Sequence, residues 1–193
     1  EEIKHAKDVG IIKMITSSIY PQQWKQSFQL SQTYPEIECT WGVHPWYIKE
    51  DYFCELDKLI SDYTGKIVAI GEIGLDLKIE SPPYELQEKF FIRQLEIAKE
   101  INLPVVVHCR GAFSQLVGIV KKIGMPKRGG IIHAFKGSVE IVDQLIPLGF
   151  YFSFGCGIIF RQSSKRQKVL EKVYPKRILV ETDSPDIPPP SQT

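Results

Sequence analysis

The chain has 193 residues, 43% hydrophobic and 24% charged, with a formal net charge of +1. That length suits one domain with a true core, and the near-zero charge excludes a general polycation, so an anionic substrate has to be gripped by a local site. No apolar run approaches the roughly 18 residues of a membrane span, and the opening EEIKHAKDVG lacks the apolar h-region of a signal peptide. The four cysteines, Cys39, Cys54, Cys109 and Cys156, lie far apart and form no C-x-x-C pair. A disulfide framework is therefore not expected, and a reducing cytoplasm is.

In chain order, EEIKHAKDVG reads as a helix closed by Gly10. Strand patterns follow at IIKMITSS (11–18) and IECTWGVHP (37–45). FCELDKLISDY carries Phe53, Leu56, Leu59, Ile60 and Tyr63 at helical spacing. KIVAIGEIG (66–74) is the next strand, and residues 85–101 form a helix with Phe91, Leu95, Ala98 and Ile101 on its apolar face. PVVVHC (104–109) and GIIHAF (130–135) are strands. Ser138 caps a helix that buries Val139, Val142 and Leu145, and YFSFG (151–155) and RILVETD (177–183) close the series.

These strands are short, β-branched and almost continuously apolar, as strands covered on both faces are. Alternation with helices predicts an α/β fold with a parallel sheet and helical crossovers. A helix with no strand before it breaks the rhythm. A TIM-type (β/α)8 barrel lacking its first strand fits that break, and the Pro-rich ending DIPPPSQT predicts that the last helix is lacking too. On this reading residues 1–193 are a single barrel domain truncated at both ends. A doubly wound open sheet is the alternative, but no Gly-rich phosphate loop follows the first strand.

In such a barrel every strand C-terminus opens onto one face, where active sites sit. The strand ends here carry His44, Glu72, His108 with Arg110, His133, and Glu181 with Asp183. Three of the four histidines fall at strand ends; His5 lies on a helix and reads as a surface residue. Strand alternation puts His108 and Arg110 on one side, and Glu181 and Asp183 on one side. The set Glu72, His108, His133 and Asp183 is mixed nitrogen and oxygen, which suits Zn, Mn, Fe or Mg. Two neighbouring ions need a bridging carboxylate, and Glu72 can be one. The chemistry predicted is hydrolysis, because a divalent metal lowers the pKa of bound water to about 7. The glycines either side of Glu72 are expected to let the backbone crowd a metal centre, and coordination offsets the cost of a buried carboxylate.

GVHPW, GEIGLD, VVVHCR, IIHAFKGS and ILVETDSP, in this order between residues 42 and 185, resemble the TatD family of metal-dependent hydrolases. That resemblance implies an amidohydrolase-type barrel with a divalent-metal site, two ions of Mg, Mn or Zn, and deoxyribonuclease or 3′-to-5′ exonuclease activity on DNA. It implies that Glu72 bridges the ions, that His108 and His133 bind one, and that Asp183 binds the other and handles the proton of the attacking water. His44, Arg110 and Glu181 are implied as substrate contacts. The family's first strand ends in H-x-H; no H-x-H occurs here, in line with the expected truncation.

Plainer roles stand beside these. Glu72 alone could be a salt-bridging carboxylate, His133 a core histidine, Asp183 the start of a turn, and His44 a loop support before Pro45. Cys109, of opposite parity to His108, is expected as a small buried hydrophobe. Lys127, Arg128 and RQSSKR (161–166) read as solvated charges rather than DNA contacts. Trp46 and Phe135 are candidates to stack on a base, and Trp41 is expected in the core. The function predicted is phosphodiester hydrolysis by a monomeric enzyme acting on DNA, single-stranded or at ends, with no membrane association. A hydrolase of small-molecule amides, lactones or phosphoesters is one alternative, and a binding protein with a deficient metal site is the other.

Overall fold

The computed structural model describes residues 2–62, 64–155 and 163–182; Cys156 and Asp183 lie outside them. Helix α1 (Glu2–Asp8) precedes strand β1 (Met14–Ser17), and Gly10 (φ +87°) supplies the left-handed step that ends the helix. Then come α2 (Trp24–Thr33), β2 (Ile37–Trp41), α3 (Tyr52–Asp62), β3 (Ala69–Asp76), α4 (Tyr84–Glu100) and β4 (Val105–Arg110). The rest is α5 (Phe113–Ile123), β5 (Gly130–Ile132), α6 (Val139–Leu145), β6 (Phe150–Phe154), α7 (Ser164–Val173) and β7 (Ile178–Val180).

All seven strands pair in parallel with their neighbours in sequence, in the order β1 to β7. A helix separates each strand from the next, so the sheet curls into part of an α/β barrel, as the alternation predicts. Every strand C-terminus therefore emerges at one end. The expectation about a last helix falls outside the described residues.

The apolar spacing of the helices is realised as burial. Phe91, Leu95 and Ala98 of α4, Leu56 and Leu59 of α3, and Val142 and Leu145 of α6 are buried against the sheet. Ile70, Ile73, Leu75, Val105, Val107, Ile132, Phe150 and Phe152 complete the core, each large side chain contributing about 1.5–3 kcal/mol. Helices α2, α5 and α7 were not singled out from the sequence. Yet α5 buries Leu116, Val117, Ile119 and Val120 at helical spacing.

Several strands are shorter than their sequence patterns. β2 stops at Trp41 because the chain turns toward Pro45, where a 3₁₀ turn (Pro45–Tyr47) begins; β5 stops at Ile132 and β7 at Val180. His44, His133 and Glu181 thus stand just past strand ends rather than on them. Lys127 and Arg128 are exposed and precede β5, so they lie at the opposite end of the sheet from the strand C-termini.

The glycines around Glu72 let β3 pass close against the neighbouring strand β4, a use the sequence reading did not name. A Cβ on Gly71 would stand 2.6 Å from Val106 Cβ. Gly74 has φ +142°, and a Cβ there would stand 1.9 Å from the His108 carbonyl oxygen. Gly118, in the exposed middle of α5, has nothing within 4 Å of such a Cβ. Gly74→Ala is expected to lower unfolding free energy by more than about 2 kcal/mol. Gly118→Ala is expected to raise it by about 0.5–1 kcal/mol. Urea denaturation of the two variants checks both signs at once.

Candidate metal centre

Glu72 reaches the centre because β3 leaves its ladder there. The β3–β4 register shifts between Ile70 and Ile73, a bulge of the kind that re-aims a side chain. The displaced backbone is caught from the other side. The Glu72 N–H donates to the Ser18 carbonyl (3.1 Å), and the Thr40 hydroxyl donates to the Gly71 carbonyl (2.7 Å). Ser18 follows β1 and Thr40 lies on β2, so the pleat that carries Glu72 is tied to both preceding strands.

His44 is delivered by the loop after β2. Gln94 of α4, fully buried, clamps that loop: the Val43 N–H donates to Gln94 Oε1 (2.7 Å), and Gln94 Nε2 donates to the Val43 carbonyl (3.2 Å). One helix-turn pair earlier, Gln87 does the same for the end of β3. It accepts from the Asp76 N–H (2.8 Å) and donates to the Asp76 and Pro82 carbonyls. Gln87 and Gln94 are seven residues apart and share a face of α4 with Phe91 and Ala98.

The side chains converge. His44 Nε2 lies 3.6 Å and His108 Nδ1 3.5 Å from the same oxygen, Glu72 Oε1. Ligand atoms of His44, Glu72 and His108 all fall within 4.8 Å of one another. His108 Nε2 is 3.1 Å from Oδ2 of Asp76, which is wholly buried. Asp76 Oδ2 also accepts from the Trp46 indole N–H (2.6 Å), and Asp76 Oδ1 accepts from the Lys78 N–H (2.8 Å). Arg110 Nη1 stands 3.8 Å from Asp76 Oδ2 with most of its side chain exposed. The shared side expected for His108 and Arg110 is thus observed.

His133 is paired differently. Its Nδ1 lies 2.5 Å from Glu181 Oε2, which also accepts from the Ser153 hydroxyl (2.5 Å) and the Ala134 N–H (3.3 Å). His133 is close enough to Glu72 and His44 to act on the charge of both. Asp183 lies outside the described residues. Phe135 is buried against Phe113, Phe152 and Phe154 and is not available to stack on a base, a correction to its sequence reading. Trp41 is in the core, stacked on Trp24. Trp46 and Tyr47 are exposed at the rim. Burial pushes the Cys109 thiol up to about 12, as fits an inert residue.

The electrostatics favour a cationic guest. Burial pushes the Glu72 carboxyl up, but His108, His44 and His133 outweigh it and hold the group below its usual range. Burial drives His44 down to about 4, with Glu72 opposing, so its ring is neutral. A neutral ring has one proton, and the Trp46 N–H donates to His44 Nδ1 (3.1 Å), so that proton sits on Nε2 and faces Glu72. His44 is therefore a donor inside the cluster. Behind the cluster, His108 Nε2 faces Asp76 and His133 Nδ1 faces Glu181, the partnership that commonly orients a metal-binding imidazole. A carboxylate oxygen and imidazole nitrogens gathered this closely suit a divalent ion.

Comparison with known proteins agrees with this geometry. The profile of the "TatD related DNase" family matches residues 1–193. The chain belongs to the TatD family of metal-dependent hydrolases. An uncharacterized metal-dependent hydrolase of Bacillus subtilis is 40% identical over 98% of this chain and 74% of its own. The deoxyribonuclease Tat-D of Schizosaccharomyces pombe is 30% identical over 95% of this chain and 62% of its own. The crystal structure of the TatD homolog YjjV of Escherichia coli superposes with a TM-score of 0.88 at 30% identity, over 96% of this chain and 73% of that one. No described helix is long and apolar enough to cross a membrane.

The sequence reading missed Asp76, Gln87 and Gln94 in this TatD chain. Their signal was present: an aspartate after a strand glycine, and two glutamines on an apolar helix face. Their roles depend on which backbone lies opposite, which sequence spacing does not state.

The neutral, buried His44 has a consequence for acid stability. Its folded pKa lies near 4 against about 6.5 unfolded, so below pH 6.5 the unfolded chain takes up a proton that the folded chain refuses. Unfolding free energy should therefore fall as pH drops from about 6.5 to about 4, by about 3 kcal/mol from this group. Urea denaturation in the presence of a chelator measures it, and His44→Asn should remove most of that loss.

Proposed function

We propose that this TatD-family chain is a phosphodiesterase acting on DNA, with single strands or ends as its substrate. The observation that carries the reading is the convergence of two imidazoles on one carboxylate oxygen, Glu72 Oε1, at the common end of the sheet. In this reading Glu72, His108 and His133 hold the metal, His108 through Nδ1 and His133 through Nε2, since their other ring nitrogens are turned to Asp76 and Glu181. Asp183 would hold a second ion, to which Glu72 would also be a ligand, and its carboxylate would accept the proton released in hydrolysis. A bound divalent cation supplies a nucleophile at neutral pH and a counter-charge for the reacting phosphoryl oxygens.

The chain's own groups do the rest. His44 Nε2–H donates, first to Glu72 and then to a phosphate oxygen placed beside it. Arg110, anchored at Asp76 and extended toward solvent, meets the backbone charge of the strand. Glu181 reaches substrate only through Oε1, because Oε2 is committed to Ser153, Ala134 and His133. Exposed Trp46 and Tyr47 offer ring faces to unstacked bases, which favours single strands and ends over intact duplex. A mouth with an exposed guanidinium and two exposed aromatic rings suits an extended anionic polymer better than a small apolar amide or lactone.

Cleavage of single-stranded DNA in Mn²⁺ tests the reading. Glu72→Ala should reduce the rate more than about 100-fold, and a chelator should abolish it. An equal rate in wild type and Glu72→Ala would overturn it. Arg110→Gln should raise KM several-fold while leaving kcat within about a factor of three, because a rim charge binds ground state and transition state alike. Steady-state kinetics on a short oligonucleotide separates the two constants.

A further inference from the structure

We propose that Asp76 is a positioning residue that decides which nitrogen of His108 faces the metal centre. The inference rests on the metal-site reading above and deepens it.

His108 has two acid neighbours, one at each ring nitrogen. Nε2 is 3.1 Å from Asp76 Oδ2, a hydrogen-bond distance; Nδ1 is 3.5 Å from Glu72 Oε1, at the outer limit of one. With one proton on the ring, the shorter contact favours Nε2 as its place. That leaves the lone pair on Nδ1, on the side of Glu72. A ring with the opposite tautomer would point an N–H at the site and could not ligate.

Asp76 can enforce this because it has no choice of its own. It is wholly buried, its backbone is clamped on both sides by Gln87, and among the described residues its carboxylate meets two N–H donors and the Arg110 guanidinium besides His108. Lys78 N–H occupies Oδ1, and the Trp46 indole N–H occupies Oδ2 beside His108. A side chain here has to accept from His108, so it cannot offer the ring a proton.

Asp76→Asn breaks that rule without changing size. The amide has one oxygen. If the oxygen stays on the Lys78 N–H, the amide nitrogen faces both Trp46 and His108, and its N–H donates to His108 Nε2. The ring proton then moves to Nδ1, on the side of Glu72. The two other site histidines serve as internal references. His44 accepts at Nδ1 from the Trp46 N–H, and His133 turns Nδ1 to Glu181.

The chain has only four histidines, so long-range ¹H–¹⁵N correlation spectra of metal-free, histidine-labelled protein at pH 8 resolve each tautomer. In wild type, His108 should show the Nε2–H form. In Asp76→Asn it should show the Nδ1–H form, and Mn²⁺ affinity by calorimetry should fall at least about tenfold. A wild-type His108 in the Nδ1–H form, or protonated at both nitrogens, overturns the proposal, and does so even if the variant fails to fold. So does a variant that binds Mn²⁺ as tightly as wild type. Wild-type protein that binds no Mn²⁺ sinks the metal-site reading instead, while the wild-type spectrum still decides what Asp76 does to His108.

Discussion

A carboxylate almost sealed from water has to be surrounded by groups that want its charge, and Glu72 is that carboxylate. Only 13% of its side chain is exposed, yet its proton is held off by His108, His44 and His133. The arrangement is costly for a domain this size, because three imidazoles are drawn together around one acid. It is tolerable only if the surrounding backbone cannot relax. The bulge in β3, tied by Ser18 and Thr40, and the close passage of Gly71 and Gly74 against β4 leave no slack at that point.

Rigidity is then passed outward in layers. Strand ends bring the imidazoles near, and α4 holds the two backbone segments that flank them through Gln94 at Val43 and Gln87 at Asp76. A fully buried glutamine is ordinarily a liability, and here both amide ends are used on backbone groups. The buried acids come last in this hierarchy. Asp76 sits behind His108 and Glu181 beside His133, each meeting one ring nitrogen.

Much of this was legible in the order of residues. Seven apolar runs alternating with amphipathic helices announced a parallel sheet. That topology alone put Glu72, His108 and Arg110 at one end, because parallel strands share a direction. His133 and Glu181 were also expected at that end, although they meet each other rather than standing as separate contacts. What sequence could not show is distance across the sheet. The Gly71–Glu72–Ile73–Gly74 step looked like backbone free to crowd a metal centre; its glycines also admit Val106 and the His108 carbonyl of the next strand. Phe135 looked like a rim aromatic because it follows His133 by two, yet the chain turns there and drives it into Phe152 and Phe154. Trp46 and Phe135 are alike in sequence terms; only the 3₁₀ turn begun by Pro45 sends one of them to the surface.

Trp46 shows why rim and centre cannot be varied independently. Its backbone N–H fixes His44 as a donor at Nε2, and its indole N–H occupies Asp76, which faces His108. One residue thus sets two neighbouring rings to opposite uses, with the two bonds coming from different parts of it. The backbone bond survives any side chain except proline at this position, whereas the indole bond does not. Substitution at Trp46 therefore leaves the His44 branch standing and disturbs the His108 branch through Asp76. Because the indole is also exposed at the mouth, a base stacked on it, as the proposed function has it, would press on the residue that braces Asp76. Under the proposed function, recognition of substrate and orientation of a ligand would be joined in this one side chain.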